Sequence, residues 1–136
     1  MDNLIEEKSF QFAIQIVRLY RHLTKGKREY VLSKQLLRSG TSIGANIAES
    51  QEAQSRADFV SKISIALKEA TESEYWIKLL YATDYLTQAE YDSILPDCVE
   101  LAKILTAILK SSKTQLSIIN CQLDTRLWWN WQTRWI

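Results

Sequence analysis

Carboxylates at helical spacing, one histidine and two cysteines are the residues of this chain whose types could do chemistry. Glu69-x-x-Glu72 and Glu49-x-x-Glu52 each put two carboxylates about one turn apart on a helix, as bundles do when they present oxygen ligands to a metal. A di-metal carboxylate site also needs histidines three residues after glutamates on two helices. His22 is the one histidine, and no glutamate lies three residues before it. The ligand set is incomplete, so neither a metal nor a cofactor is expected. Cys98 and Cys121 have no CxxC or metal spacing. They read as free thiols, with Cys98 a small core hydrophobe. No Gly-rich phosphate loop and no G-x-S-x-G motif occurs. With no nucleophile set beside a base, an enzyme is not expected.

Charge offers a different chemistry. The net charge is +1, but its distribution is uneven. Residues 1–38 hold eight Lys/Arg against four acids, residues 39–100 four against eleven, and residues 101–136 five against one. A basic end can be a polynucleotide-binding face. It can equally be a set of basic helices lying beside acidic ones.

The elements that must position these groups are helices. The chain is 136 residues long, with three Gly and one Pro, which favours long helices with few connections over a turn-rich β fold. It has no apolar run long enough to span a membrane and no signal-peptide pattern at MDNLIEEKSF. A cytoplasmic protein with no membrane partner is expected.

The spacing predicts a first helix over residues 4–24, with Phe12, Ile16, Leu19 and Leu23 on one stripe and Phe10, Ile14 and Val17 on another. Gly26 reads as its stop. A second helix is expected from about Glu29 to Glu49. Leu36, Gly40, Ile43 and Ile47 form one stripe, and Leu37, Gly44 and Ala48 its neighbour. An interior Gly costs about 1 kcal/mol relative to Ala. Gly40, Gly44 and Ala48 are therefore helix-packing candidates, with close backbone approach to a ligand as the other reading. Ser55 and Asp58 form a capping-box-like start. Phe59, Ile63, Ala66, Ala70, Ser73, Ile77 and Leu80 then alternate at +4 and +3, the seam of an antiparallel bundle. That third helix should span about 28 residues, or about 42 Å. Thr87-x-x-Glu90 is a second capping box, opening a fourth helix with Tyr91, Ile94, Cys98, Leu101, Leu105 and Ile108 on its face. Pro96 should kink it, or else end a short first turn, and the helix should stop near Lys113. Short connections force antiparallel neighbours. The expected fold is all-α, an up-down-up-down four-helix bundle over residues 1–115, followed by a Trp-rich tail over 116–136.

The tail carries Trp128, Trp129, Trp131 and Trp135, four of five tryptophans. It reads as an aromatic anchor for a partner or for bases, as interfacial membrane contact, or as an appended extension with no selected role. If ordered, so much aromatic surface should pack on a neighbouring subunit.

Gln35-Leu36-Leu37-Arg38, Ser42-Ile43-Gly44-Ala45-Asn46-Ile47-Ala48-Glu49, Asp58-Phe59, Ile65-Ala66 and Glu69 through Trp76 together resemble the S23-type four-helix bundle proteins. These are encoded in intervening sequences of bacterial 23S rRNA genes, and the accessory variability protein of diversity-generating retroelements is a relative. The likeness spans nearly all of residues 5–113. It implies a homopentameric barrel, association with RNA or DNA, and, for the retroelement relatives, a reverse-transcriptase partner. The nucleic-acid-binding candidates it implies are Lys34 and Arg38, with Lys25, Lys27 and Arg28 upstream. Lys27, Lys34 and Arg38 are spaced to fall near one helical face. The competing reading is a solvated face, with Arg38 paired to Glu69 or Glu72. Function is then expected to be that of a non-enzymatic oligomeric scaffold for nucleic acid or a nucleic-acid enzyme. The alternative is a pure protein–protein interaction module.

Overall fold

The computed structural model describes the backbone of residues 3–134 and the side chains of residues 4–112. Four helices follow in order: α1 (Asn3–Lys25), α2 (Leu32–Ser50), α3 (Arg56–Ala82) and α4 (Gln88–Arg134). No strand occurs among the described residues. Each helix packs on its neighbours in sequence, α1 also meets α4, and the backbones of the diagonal pairs do not approach closely among the described residues. Cross-helix partners run in opposite directions along each pair. Lys8 meets Glu100 and His22 meets Glu90 between α1 and α4, while Arg38 meets Glu72 and Glu49 meets Lys62 between α2 and α3. The bundle is therefore antiparallel throughout.

The core follows the apolar periodicity. Phe12, Ile16 and Leu23 of α1 are buried, as are Leu36, Gly40, Ile43 and Ile47 of α2. On α3 the seam from Ile63 to Leu80 is buried, with Phe59 partly so. Each such Leu, Ile or Phe contributes about 1.5–3 kcal/mol when fully removed from water. On α4 the stripe of Ile94, Cys98, Leu101 and Leu105 continues through Leu109, and Ile108, the expected member, is only partly buried. The stripe takes +4 rather than +3 at that point.

The caps explain the boundaries. Ser55 Oγ accepts from Asp58 N–H at 3.0 Å. At α4, Thr87 Oγ1 accepts from Glu90 N–H at 3.1 Å and Glu90 returns to Thr87 N–H at 2.8 Å, the full reciprocal box. Just past the end of α3, Asp84 takes the left-handed region, φ 70°. Tyr85 N–H reaches Leu80 carbonyl at 2.9 Å and Asp84 N–H reaches Tyr81 carbonyl at 3.1 Å, a Schellman arrangement. The Tyr81 and Tyr91 rings stack across this corner at 4.0 Å.

Three expectations change. Helix α2 begins at Leu32, not near Glu29, because the Glu29 side chain serves as its cap. Helix α4 runs on to Arg134, well past Lys113. No Gly or Pro follows Pro96, so nothing in the sequence stops it. Ala48 is exposed rather than buried between helices, since it lies one stripe away from the inward row. Pro96 sits inside continuous helix on an exposed position. The tryptophan side chains of the tail lie outside the described residues, as does Cys121.

Candidate functional site

Residues 26–31 join α1 to α2 and are tied back to the end of α1 by three backbone hydrogen bonds, the longest from Lys27 N–H to the His22 carbonyl at 3.4 Å. Gly26 N–H reaches the His22 carbonyl at 2.8 Å. A Cβ on Gly26 would stand 2.9 Å from that same oxygen, which is why glycine follows the helix end. Glu29 N–H donates to the Leu23 carbonyl at 2.9 Å. Between them Arg28 takes the left-handed conformation, φ 56°, turning the chain toward α2.

Glu29 closes the corner. Its carboxylate accepts from the N–H groups of Val31, Leu32 and Ser33 at 3.0, 2.6 and 3.0 Å. Ser33 Oγ donates to the Glu29 carbonyl at 2.8 Å. These donors would otherwise be unpaired at the start of α2. Burial favours the neutral acid, but the N–H groups of Ser33, Leu32 and Val31 outweigh it and hold the carboxyl below the ordinary 4.5. A depressed folded-state value stabilises the fold above the unfolded pKa, and the gain is lost as pH falls through the folded one. Glu29→Gln is expected to lose about 1 kcal/mol at neutral pH. Its urea midpoint should also fall less steeply than wild type as pH drops below about 4.5. Parallel acid limbs for the two proteins would contradict this role.

With its carboxylate turned inward, the corner presents cations outward. Lys25 at the end of α1, Lys27 and Arg28 in the connection, and Lys34 in the first turns of α2 are all exposed. None makes an ion pair among the described residues. Lys27 precedes the helix, so helical spacing does not set its direction relative to Lys34 and Arg38. Tyr30 and Val31, absent from the sequence-derived candidates, are exposed in the same connection. A large aromatic in a polar lysine-rich turn is the signal that marks them.

Arg38 is placed differently. Its Nη1 lies 3.4 Å from Glu69 Oε1 and its Nη2 bonds Glu72. Glu72 also accepts the Trp76 indole N–H at 3.0 Å, and Lys68 stands 3.9 Å from Glu69. The Glu69–Glu72 carboxylates thus serve an ion-pair network, and Glu49 pairs with Lys62 at 3.1 Å. Among the described residues no group of three His, Cys, Asp or Glu could hold a metal. Burial, with a smaller contribution from the Glu74 charge, pushes the Cys98 thiol up to about 12. It donates to the Ala70 carbonyl at 3.3 Å. No described helix is long and apolar enough to cross a membrane.

A second surface lies at the other end of α1 and α2. Phe10, Ala13, Thr41, Gly44, Ala45 and Ala48 line an open groove of about 690 Å³, together with Glu6, Glu7 and Ser9. Phe10 is 65% exposed. It belongs to the α1 stripe that the bundle interior does not use.

Comparison with known proteins finds a family model and solved structures that match. The family model described as 23S rRNA-intervening sequence protein matches residues 1–107. The crystal structure of a protein of unknown function from the S23 ribosomal protein family of Bacteroides thetaiotaomicron is similar at 55% identity, covering 78% of this chain and 98% of that one, with a TM-score of 0.77. No curated protein matches.

Proposed function

Because this chain belongs to the family of 23S rRNA-intervening sequence proteins, we propose that it is a non-enzymatic oligomeric scaffold that associates with RNA or DNA, or with an enzyme that acts on them. The observation that carries the nucleic-acid part is the α1–α2 corner. Four exposed cations, Lys25, Lys27, Arg28 and Lys34, stand there without ion-pair partners among the described residues. The one carboxylate of the connection is consumed by backbone donors. Such a patch attracts phosphate even on a chain of net charge +1.

The scaffold part is supported by the Phe10 groove. A single bundle leaves this apolar stripe to water, and a second copy would cover it. A homopentamer is the assembly that the family resemblance implies. Light scattering is expected to give a mass near five times the 15.8 kDa of the chain. Phe10→Glu should shift it toward the monomer, and a monomeric wild type would remove the scaffold reading.

Binding is tested by titrating a labelled stem–loop RNA and a single-stranded DNA at several salt concentrations. Saturable binding that weakens with salt, and is lost in the double variant Lys27→Glu/Lys34→Glu, is expected. Absence of binding at low salt removes the nucleic-acid reading. The protein-interaction reading would then stand, favoured by the apolar groove.

A further inference from the structure

The α1–α2 corner holds a side chain that phosphate neutralisation alone does not require. Tyr30 is 58% exposed and its neighbour Val31 is 71% exposed. The other exposed large aromatics among the described residues have different surroundings. Phe10 lies in a groove lined in part by Glu6 and Glu7, and Tyr75 stands edge-on to Trp76 at 5.1 Å. Tyr30 has no ring partner among the described residues, and Arg28 and Lys34 flank it in sequence. We propose that Tyr30 is a stacking platform for an unpaired base, so that this corner takes single-stranded nucleic acid in preference to duplex. The proposal rests on the nucleic-acid reading above and narrows its ligand class.

The platform is held before any ligand arrives. Glu29 is fixed on one side of Tyr30 by its N–H to the Leu23 carbonyl. Val31 is fixed on the other by its N–H to the Glu29 carboxylate. Little backbone freedom is therefore left to lose on binding. An exposed aromatic face accepts any base, whereas bases in a duplex already have both faces covered. Lys27, Arg28 and Lys34 stand on either side in the chain to meet flanking phosphates. The amides at the start of α2 take no part, since Glu29 occupies them.

The test uses the full chain and anisotropy titration with one short unpaired oligonucleotide, made as RNA and as DNA, and with its duplex. The RNA and DNA arms identify which sugar is accepted. Tyr30→Ala is expected to weaken single-strand binding about ten-fold or more, with duplex binding unchanged. Tyr30→Phe should restore it. The slope of log affinity against log salt should stay the same in Tyr30→Ala, because no charge is removed, and should fall in Lys34→Glu. Unchanged thermal melting would establish that Tyr30→Ala is folded. If Tyr30→Ala binds single strands as wild type does while Lys27→Glu/Lys34→Glu does not, stacking is overturned and the nucleic-acid reading survives. If wild type binds duplex as tightly as single strands, the strand preference is overturned. If it binds neither at low salt, both readings fall together.

Discussion

Gly40→Ala is expected to destabilise the bundle by up to about 2 kcal/mol, whereas Gly44→Ala, four residues along the same helix, is expected to stabilise it by up to about 1 kcal/mol. Both changes raise helix propensity by about 1 kcal/mol. The neighbours decide the sign. A Cβ at Gly40 would stand 2.8, 3.0 and 3.1 Å from Cγ1, Cγ2 and Cδ1 of Ile16. Ile16 is almost fully buried and branched at Cβ, so it has no free rotamer to retreat into. Overpacking of this kind costs about 1–3 kcal/mol. At Gly44 the nearest atom is the Ser9 carbonyl oxygen at 3.4 Å, close to ordinary contact. Thermal and urea unfolding of both variants would measure the pair. For a domain of this size 1 kcal/mol corresponds to roughly 2–4 °C. Shifts of the same sign would mean that the α1–α2 approach is not set at Gly40.

Arg38→Glu is expected to cost about 2–3 kcal/mol, more than any other charge change at the α1–α2 end. The Arg38 side chain is 49% exposed, so its bond to the more open Glu72 is worth little by itself. Glu69 is different, because its side chain is only 9% exposed. Removing its guanidinium partner leaves a largely buried carboxylate with only the long contact to Lys68, at 3.9 Å, to offset its charge among the described ion pairs. Reversal also sets a third acid beside Glu69 and Glu72. Arg38→Lys should recover part of the loss, since an ammonium cannot fork across two carboxylates. Lys34→Glu, exposed and without an ion-pair partner, should stay within about 0.5 kcal/mol of wild type. Urea midpoints of the three variants test this. An Arg38→Glu protein as stable as wild type would show the network to be ornamental. Loss of nucleic-acid binding in Arg38→Glu would otherwise report on the fold, so Lys34→Glu and Lys27→Glu are the informative changes at the corner.

Much of this architecture is written in local pattern. The α3 seam and the α2 stripe through Gly40 are periodic over several turns, and each inward residue reinforces the same face. Thr87 and Glu90 cap one another within a single turn, so no distant residue is needed to specify that boundary. The start of α2 is less legible. Glu29 sits where a helical pattern already looks plausible, and only the path of the chain from His22 through Arg28 turns its carboxylate onto the amides of Val31, Leu32 and Ser33.

By itself, then, the sequence determined four helices, their order, their antiparallel pairing and most of the buried face. Those properties follow from the 3.6-residue period, short connections and capping residues, all of which act over a few neighbouring positions. The tertiary structure alone decided which charges and rings face water. Arg38 and Lys34 lie one turn apart with the same charge, yet α3 brings two carboxylates to the first and none to the second. Phe10 and Phe12 are two residues apart, yet only Phe12 is buried in the core. Exposure and pairing depend on what a neighbouring helix places opposite, and that is fixed by packing between residues distant in the chain.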